Sequence, residues 1–277
     1  MDACQRYPTP TMMRRVAASA LAVLLVLSAL ASVGADDDWI NAVAHSDTNA
    51  LARLVREGAD VNRAAADGRT ALMAAASAAD MQLVALLLDR GAAVNAANSR
   101  GGTALMYAVT RGDAASVRLL LERGGAPNAR AANGWTALTL AAARGFDGIV
   151  ERLLASGADP NIADIYGWTP LMRATEQERP RVVGVLLRAK DIDPDVRDEN
   201  GQTALHHAAA QGNVEIARML LDRGARVSVR DAGGRTAAGL ADAHGHAALA
   251  AMMAERDENA GGHRGGDRSL GARALRR

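Results

Sequence analysis

The sequence predicts an all-α solenoid of stacked helix-turn-helix units joined by β-turn or hairpin fingers. Two periodic phrases carry that expectation. A Thr-x-Leu core recurs at Thr70, Thr103, Thr136, Thr169 and Thr203, decays at Thr236, and steps by 33, 33, 33, 34 and 33 residues. A second phrase keeps the same period: Gly58-Ala-Asp-Val-Asn62, Gly91-Ala-Ala-Val-Asn95, Gly157-Ala-Asp-Pro-Asn161 and Gly224-Ala-Arg-Val-Ser228. A repeat of this length marks an array of supersecondary units, none of which buries its apolar faces alone.

The residues of one unit justify its elements in order. The Thr hydroxyl suits an N-cap, where it accepts from the free amides of the first turn. Pro170 stands one residue later, where a missing N–H costs nothing. An Ala-rich helix follows, whose small side chains let neighbouring helices approach closely. Nine residues after the Thr comes Gly112, Gly145, Gly212 or Gly245, suited to the left-handed position that ends a helix. Asp80, Asp113 and Asn213 then cap a second helix. Its apolar positions in one copy are Leu83, Val84, Leu86, Leu87 and Leu88, more than a single amphipathic face holds, so it requires neighbours on both sides. The polar segment with Asn and Gly before the next Thr reads as a turn.

The phrase Asp164-Ile-Tyr-Gly-Trp-Thr-Pro-Leu171, together with Gly-Ala-Asp-Val-Asn, resembles the ankyrin repeat over about residues 36–256. That resemblance implies an array that binds protein through its finger tips and the exposed face of each first helix. Those positions lie one and three residues before each Thr, and seven and eight after it. Just before the Thr stand Arg69, Gly102, Trp135, Trp168, Gln202 and Arg235. Three before it stand Asp67, Arg100, Asn133, Tyr166, Asn200 and Gly233. Aromatic residues make up only 3% of the chain, yet Trp135, Tyr166 and Trp168 fall on adjacent fingers. Trp, Tyr and Arg dominate binding hot spots. The expected partner site is therefore centred on these aromatics, with Arg100, Asn133, Arg111, Arg144, Arg173, Glu176 and Gln177 around them. The other role open to each Trp is to cover its neighbouring finger.

Residues 1–35 are a different material. Arg14-Arg15 precede the apolar run Val16–Leu30, and small residues follow, the pattern of a signal peptide cleaved after Ala35 or Ala31. An uncleaved anchor is the alternative, although the run is short for a membrane span. Translation from Met12 or Met13 would fit the same pattern. The single cysteine, Cys4, precedes the signal, so the mature chain is expected to lack disulfides, thiolate chemistry and thiolate metal sites. Lys190 is the one lysine among 32 basic residues, and with abundant Ala this suggests a GC-rich bacterial genome. Export then means the periplasm, with secretion as an effector of another cell as the rival destination.

Residues 36–66 form a divergent first repeat in which Trp39 takes the place of Leu72. Further units begin near Asp67, Arg100, Asn133, Tyr166 and Asn200, and a degenerate cap spans 233–256. Residues 257–277 show no apolar periodicity and are expected to form a disordered basic tail. The unit at Tyr166 departs most: Glu178 replaces the helix-ending Gly, Pro180 opens the second helix, and Lys190-Asp-Ile-Asp193 carries an extra residue. Such a break marks either function or drift in a tolerant loop.

Chemistry is sparse. The formal net charge of +1 gives no strong pull toward nucleic acid. No Gly-x-Ser-x-Gly elbow, His-Glu-x-x-His or Walker loop is present, so no enzyme, cofactor or small-molecule substrate is expected. His206 matches the repeat's structural His, and His207 falls at the inter-helix position of Tyr107 and Leu140. His244-x-His246 beside Asp242 is too sparse for a metal site. The expectation is a monomer that binds a protein partner of unknown identity, touching membrane only through an uncleaved signal segment.

Overall fold

Thr70, Thr103, Thr136, Thr169 and Thr203 are all buried, and each sits in extended backbone just ahead of a helix. At Thr136 the hydroxyl accepts from the amide of Thr139 at 3.2 Å, and the Thr139 hydroxyl accepts from the Thr136 amide at 3.4 Å. Such reciprocal caps satisfy donors that the helix leaves free. The computed structural model describes residues 38–265; the expected signal segment and residues 266–277 lie outside the described residues.

Helix α1 covers residues 38–45. It is followed by α2 Thr48–Arg56, α3 Ala71–Ala78, α4 Met81–Asp89, α5 Ala104–Arg111, α6 Ala114–Glu122 and α7 Ala137–Arg144. The second half holds α8 Asp147–Ala155, α9 Pro170–Glu176, α10 Pro180–Leu187, α11 Ala204–Gln211, α12 Val214–Asp222, α13 Ala237–Ala243 and α14 Ala247–Gly265. First helices stack on first helices (α3 on α5, α5 on α7, and so on), and second helices on second helices. The inner row is built from buried Ala at 71, 74, 75, 104, 108, 137, 141, 174, 204 and 208, which permits close packing. The outer row contributes Leu87, Leu120, Leu153, Leu186 and Leu220, all fully buried. Among the described residues no β-strand forms; fingers 64–70 and 97–103 close as isolated antiparallel bridges.

The Asn of Gly-Ala-Asp-Val-Asn proves to be a clamp between units. Asn62 donates to the Gly91 carbonyl at 3.1 Å and accepts from the Ala93 amide at 2.7 Å. Asn95, Asn128 and Asn161 repeat both bonds one unit further on each time. The clamp from Asn161 to Asp191 and Asp193 spans the divergent unit, so the extra residue there is absorbed without breaking the stack.

Gly112, Gly145 and Gly212 end their helices at φ between 70° and 80°, as their spacing predicts. Glu178 and Ala79 occupy the same position and are driven to φ 51° and 58°. A side chain in this left-handed region is strained by roughly 1–2 kcal/mol. Glu178→Gly and Ala79→Gly are therefore each expected to raise stability by about 1 kcal/mol. Ala78→Gly, one residue earlier and right-handed, is the control of opposite sign. Chemical denaturation of the three variants checks this, and equal effects at 78 and 79 would remove the argument.

The array's expected end at 256 falls inside α14, which runs on to Gly265.

Candidate functional site

One positional rule organises the concave side. At Arg69, Trp135, Trp168 and Gln202 the residue just before the Thr reaches over the next unit, toward that unit's residues five before and four after its own Thr. Trp135 donates its ring N–H to Asp164 at 3.1 Å, and the Arg173 guanidinium lies 5.0 Å from its ring centre. Trp168 carries Arg173 at 4.5 Å and stacks with His207 at 4.3 Å between centroids. Arg69 lies 5.6 Å from the Tyr107 ring, and the Gln202 side chain hydrogen-bonds to Asp231. Cation–π contacts of this kind stabilise best where the cation is desolvated.

Asp164 is the hub. Its side chain is fully buried and pairs with Arg173, which is 22% exposed. One oxygen accepts from the amides of Tyr166 and Trp168 at 2.9 and 3.0 Å, closing the finger. Burial pushes its pKa up, but the hydrogen bonds from Arg173, Trp168 and Tyr166 outweigh this and hold the carboxyl below its usual value. Asp198 repeats the arrangement one unit on, accepting from Asn200 and Gln202 and from His207 Nε2 at 3.2 Å.

His206 has a defined tautomer. Its Nδ1 accepts from the Thr203 amide at 3.2 Å, so Nε2 carries the proton and donates to the Arg235 carbonyl at 3.3 Å. Burial lowers the pKa of His206 against the pull of that carbonyl and Asp231. For His207, burial also prevails, over the carboxylates of Asp198 and Glu176, with Arg173 adding to the depression. Both imidazoles therefore bind protons more readily in the unfolded chain, from the ordinary value of 6.5. Stability is complete above that pH and declines as pH falls through it. Asp231 opposes its burial with bonds from Arg235 and Gln202 and sits at about 2, so its contribution is lost only as pH falls from 3.8 toward 2. Melting temperature against pH is expected to fall in these two windows. His207→Tyr, which restores the residue type of Tyr107, is expected to flatten the upper one; an unchanged slope would count against the assignment.

The predicted site residues separate into groups. Trp135, Trp168 and Arg173 are brought together, half-buried, and Glu176 approaches the far side of His207 at 3.8 Å. Tyr166 stays 51% exposed beside Ile165 at 59%. Arg111, Arg144 and Gln177 are exposed at the ends of their helices. Arg100 and Asn133 line a cavity of about 360 Å³ with Gly102, Met106, Tyr107 and Leu140 among its walls. Among the described residues, the side chains of Arg100, Arg111 and Arg144 have no partner. Asp164, Asp198, Ile165 and the cavity walls other than Arg100, Gly102 and Asn133 were not legible as site residues in one unit. Aligning the positions five before and four after each Thr would have found Asp164 and Asp198, and Asn98, Tyr107, Ala131 and Leu140 of the cavity.

His244 donates from Nδ1 to the Leu240 carbonyl at 2.9 Å, and His246 stands immediately before α14 with its ring against Gly212. Among the described residues no group of three or more His, Cys, Asp or Glu is placed to hold a metal. No described helix is long and apolar enough to cross a membrane.

Comparison with known proteins gives one consistent result. The family model of ankyrin repeats (3 copies) matches residues 39–131, 117–198 and 182–261. Among solved structures, the human ASB11 ankyrin repeat domain is 29% identical with a TM-score of 0.65, covering 76% of this chain and 96% of its own. The ankyrin repeat domain of Bcl-3, a member of the IkappaB protein family, is 28% identical with a TM-score of 0.65, covering 73% of this chain and 92% of its own. No curated protein matches the sequence. With the period, the caps, the stacked helix pairs and the family match in agreement, this chain belongs to the ankyrin-repeat family.

Proposed function

We propose that the chain is a non-enzymatic scaffold that binds a protein partner in the bacterial envelope through the fingers and concave helix faces of its central units. Ankyrin repeats are in general protein-interaction modules, and a rigid stack loses little entropy on binding. The observation that carries the reading is the finger tip Ile165-Tyr166, 59% and 51% exposed. Asp164 fixes that tip through the Tyr166 amide. Two large apolar side chains held rigidly in water form an anchor of the type that concentrates binding energy. The exposed Arg111 and Arg144 on neighbouring helices add cationic rim contacts. Export rests on the Arg14-Arg15 and Val16–Leu30 pattern, which lies outside the described residues.

The test is a crosslinking capture from periplasmic extract, comparing wild type with Ile165→Ala/Tyr166→Ala and with Arg111→Glu/Arg144→Glu. These four side chains leave the Trp135–Arg173–Trp168 packing intact, so circular dichroism should not change. A specific protein lost from both variants supports the reading. Equal recovery by both variants, or a mature protein absent from the periplasm, would overturn it.

A further inference from the structure

The covering rule fails at one place. Arg69, Trp135, Trp168 and Gln202 each extend over the following unit, but the residue before Thr103 is Gly102, which has no side chain to extend. The two residues it would cover are Ala131 and Leu140, five before and four after Thr136. Both line the 360 Å³ cavity, as does Gly102 itself. The cavity is therefore the slot of a missing covering side chain.

We propose that a partner protein fills this slot with a phenylalanine-type side chain carried on an acidic segment; this rests on the scaffold reading above and names the chemistry of its partner. The slot's shape follows from its register: the preceding slot holds the Arg69 side chain against Tyr107, and the next two hold the rings of Trp135 and Trp168. A phenyl ring is preferred over an indole because the acceptor that Asp164 supplies to the Trp135 N–H is replaced here by Ala131. Carboxylates are required because the rim is cationic. Arg100 lines the slot, Arg111 follows the lining residue Thr110, and Arg144 repeats Arg111 one unit on. None of the three has a side-chain partner among the described residues. The carboxylate on the preceding finger tip, Asp67, is already engaged by the Arg69 amide at 2.9 Å.

Gly102→Trp closes the slot from within. Gly102 accommodates this, because Asn98 accepts from the Gly102 amide as Asp164 accepts from that of Trp168, and Trp168 stands on that same finger geometry. The three atoms nearest an added Cβ all belong to the Asn98 carboxamide, the closest at 3.2 Å, so that side chain has to give by a few tenths of an ångström. The probe is the peptide acetyl-Glu-Asp-Phe-Asp-Glu-amide, titrated into the full chain and followed at the Met106 methyl by NMR. Expected are a saturable shift of Met106, binding about tenfold weaker or more for the Phe→Ala peptide, and the same loss in Gly102→Trp. Arg100→Glu/Arg111→Glu is expected to weaken binding and abolish its salt dependence. No shift at millimolar peptide, or equal binding of the Phe→Ala peptide, overturns the proposal. If Gly102→Trp loses helicity, Leu140→Arg, which installs the residue type of position 173 on the far wall, takes its place with the same expectation. An envelope protein captured equally by wild type and Gly102→Trp would overturn the slot while leaving the scaffold reading standing; loss confined to Ile165→Ala/Tyr166→Ala would do the same.

Discussion

Replacing Asp164 by alanine is expected to destabilise the protein by about 3–5 kcal/mol, the usual cost of removing one partner of a buried ion pair. The carboxylate is fully buried and accepts from four donors: two finger amides, the Trp135 ring and Arg173. Without it, the Arg173 guanidinium remains between two indoles with no counter-charge, and its Nε has no partner even now. Asp164→Asn keeps an acceptor for the Tyr166 and Trp168 amides and is expected to lose only about 1.5–3 kcal/mol, the worth of a hydrogen bond to a charged group. The chain supplies its own control. One unit earlier the same two positions are Ala131 and Leu140, an apolar pair in the same register but under Gly102 instead of a Trp. Asp164→Ala/Arg173→Leu recreates that pair, and replacing both partners of a buried ion pair is often nearly neutral. The double variant should thus be more stable than Asp164→Ala alone, with a coupling energy of about 2 kcal/mol in the mutant cycle. Denaturation followed by Trp fluorescence measures all four proteins, and additive single effects would show that the ion pair is not the source of the cost.

Much of this was written in the period. The threonines predict the helix starts, Asp80, Asp113 and Asn213 predict the second caps, and Gly112, Gly145 and Gly212 predict the left-handed ends, because each depends on residues within one turn. What escaped depends on residues about 30 positions apart. Asn62, Asn95, Asn128 and Asn161 were visible as a periodic residue, but a clamp to the next unit's loop has no local signature. Trp135 and Trp168 read either as partner-binding residues or as covers of the neighbouring finger, but the groups they half-bury against, Asp164 and Arg173 for Trp135 and His207 for Trp168, stand about 30 to 40 positions further on and have no local signature. Gly102 carries no chemistry by itself; its meaning comes from what stands at 135 and 168.

Trp39→Ala should separate the two ends of the array. Trp39 is 1% exposed and donates its ring N–H to the Arg63 carbonyl at 2.9 Å, so its truncation removes packing and a bond worth together roughly 3–5 kcal/mol. It occupies the column of Leu72, Leu105, Leu138, Leu171 and Leu205, all buried. In a solenoid each unit is stabilised by its interfaces with its neighbours, and among the described residues the first repeat has a neighbour on one side only. Losing more than that single interface supplies does not propagate; the unit opens instead. Amide exchange is therefore expected to become fast over residues 38–66 while 100–222 stay protected. Leu138→Ala, in the same column, weakens an internal unit that holds two interfaces. It is expected to cost about 2–5 kcal/mol in one shared transition, since neither half can open without breaking contacts on both sides of α7. Uniform acceleration of exchange across all units in Trp39→Ala would mean that the array unfolds as one body, and the nearest-neighbour account of its stability would have to be given up.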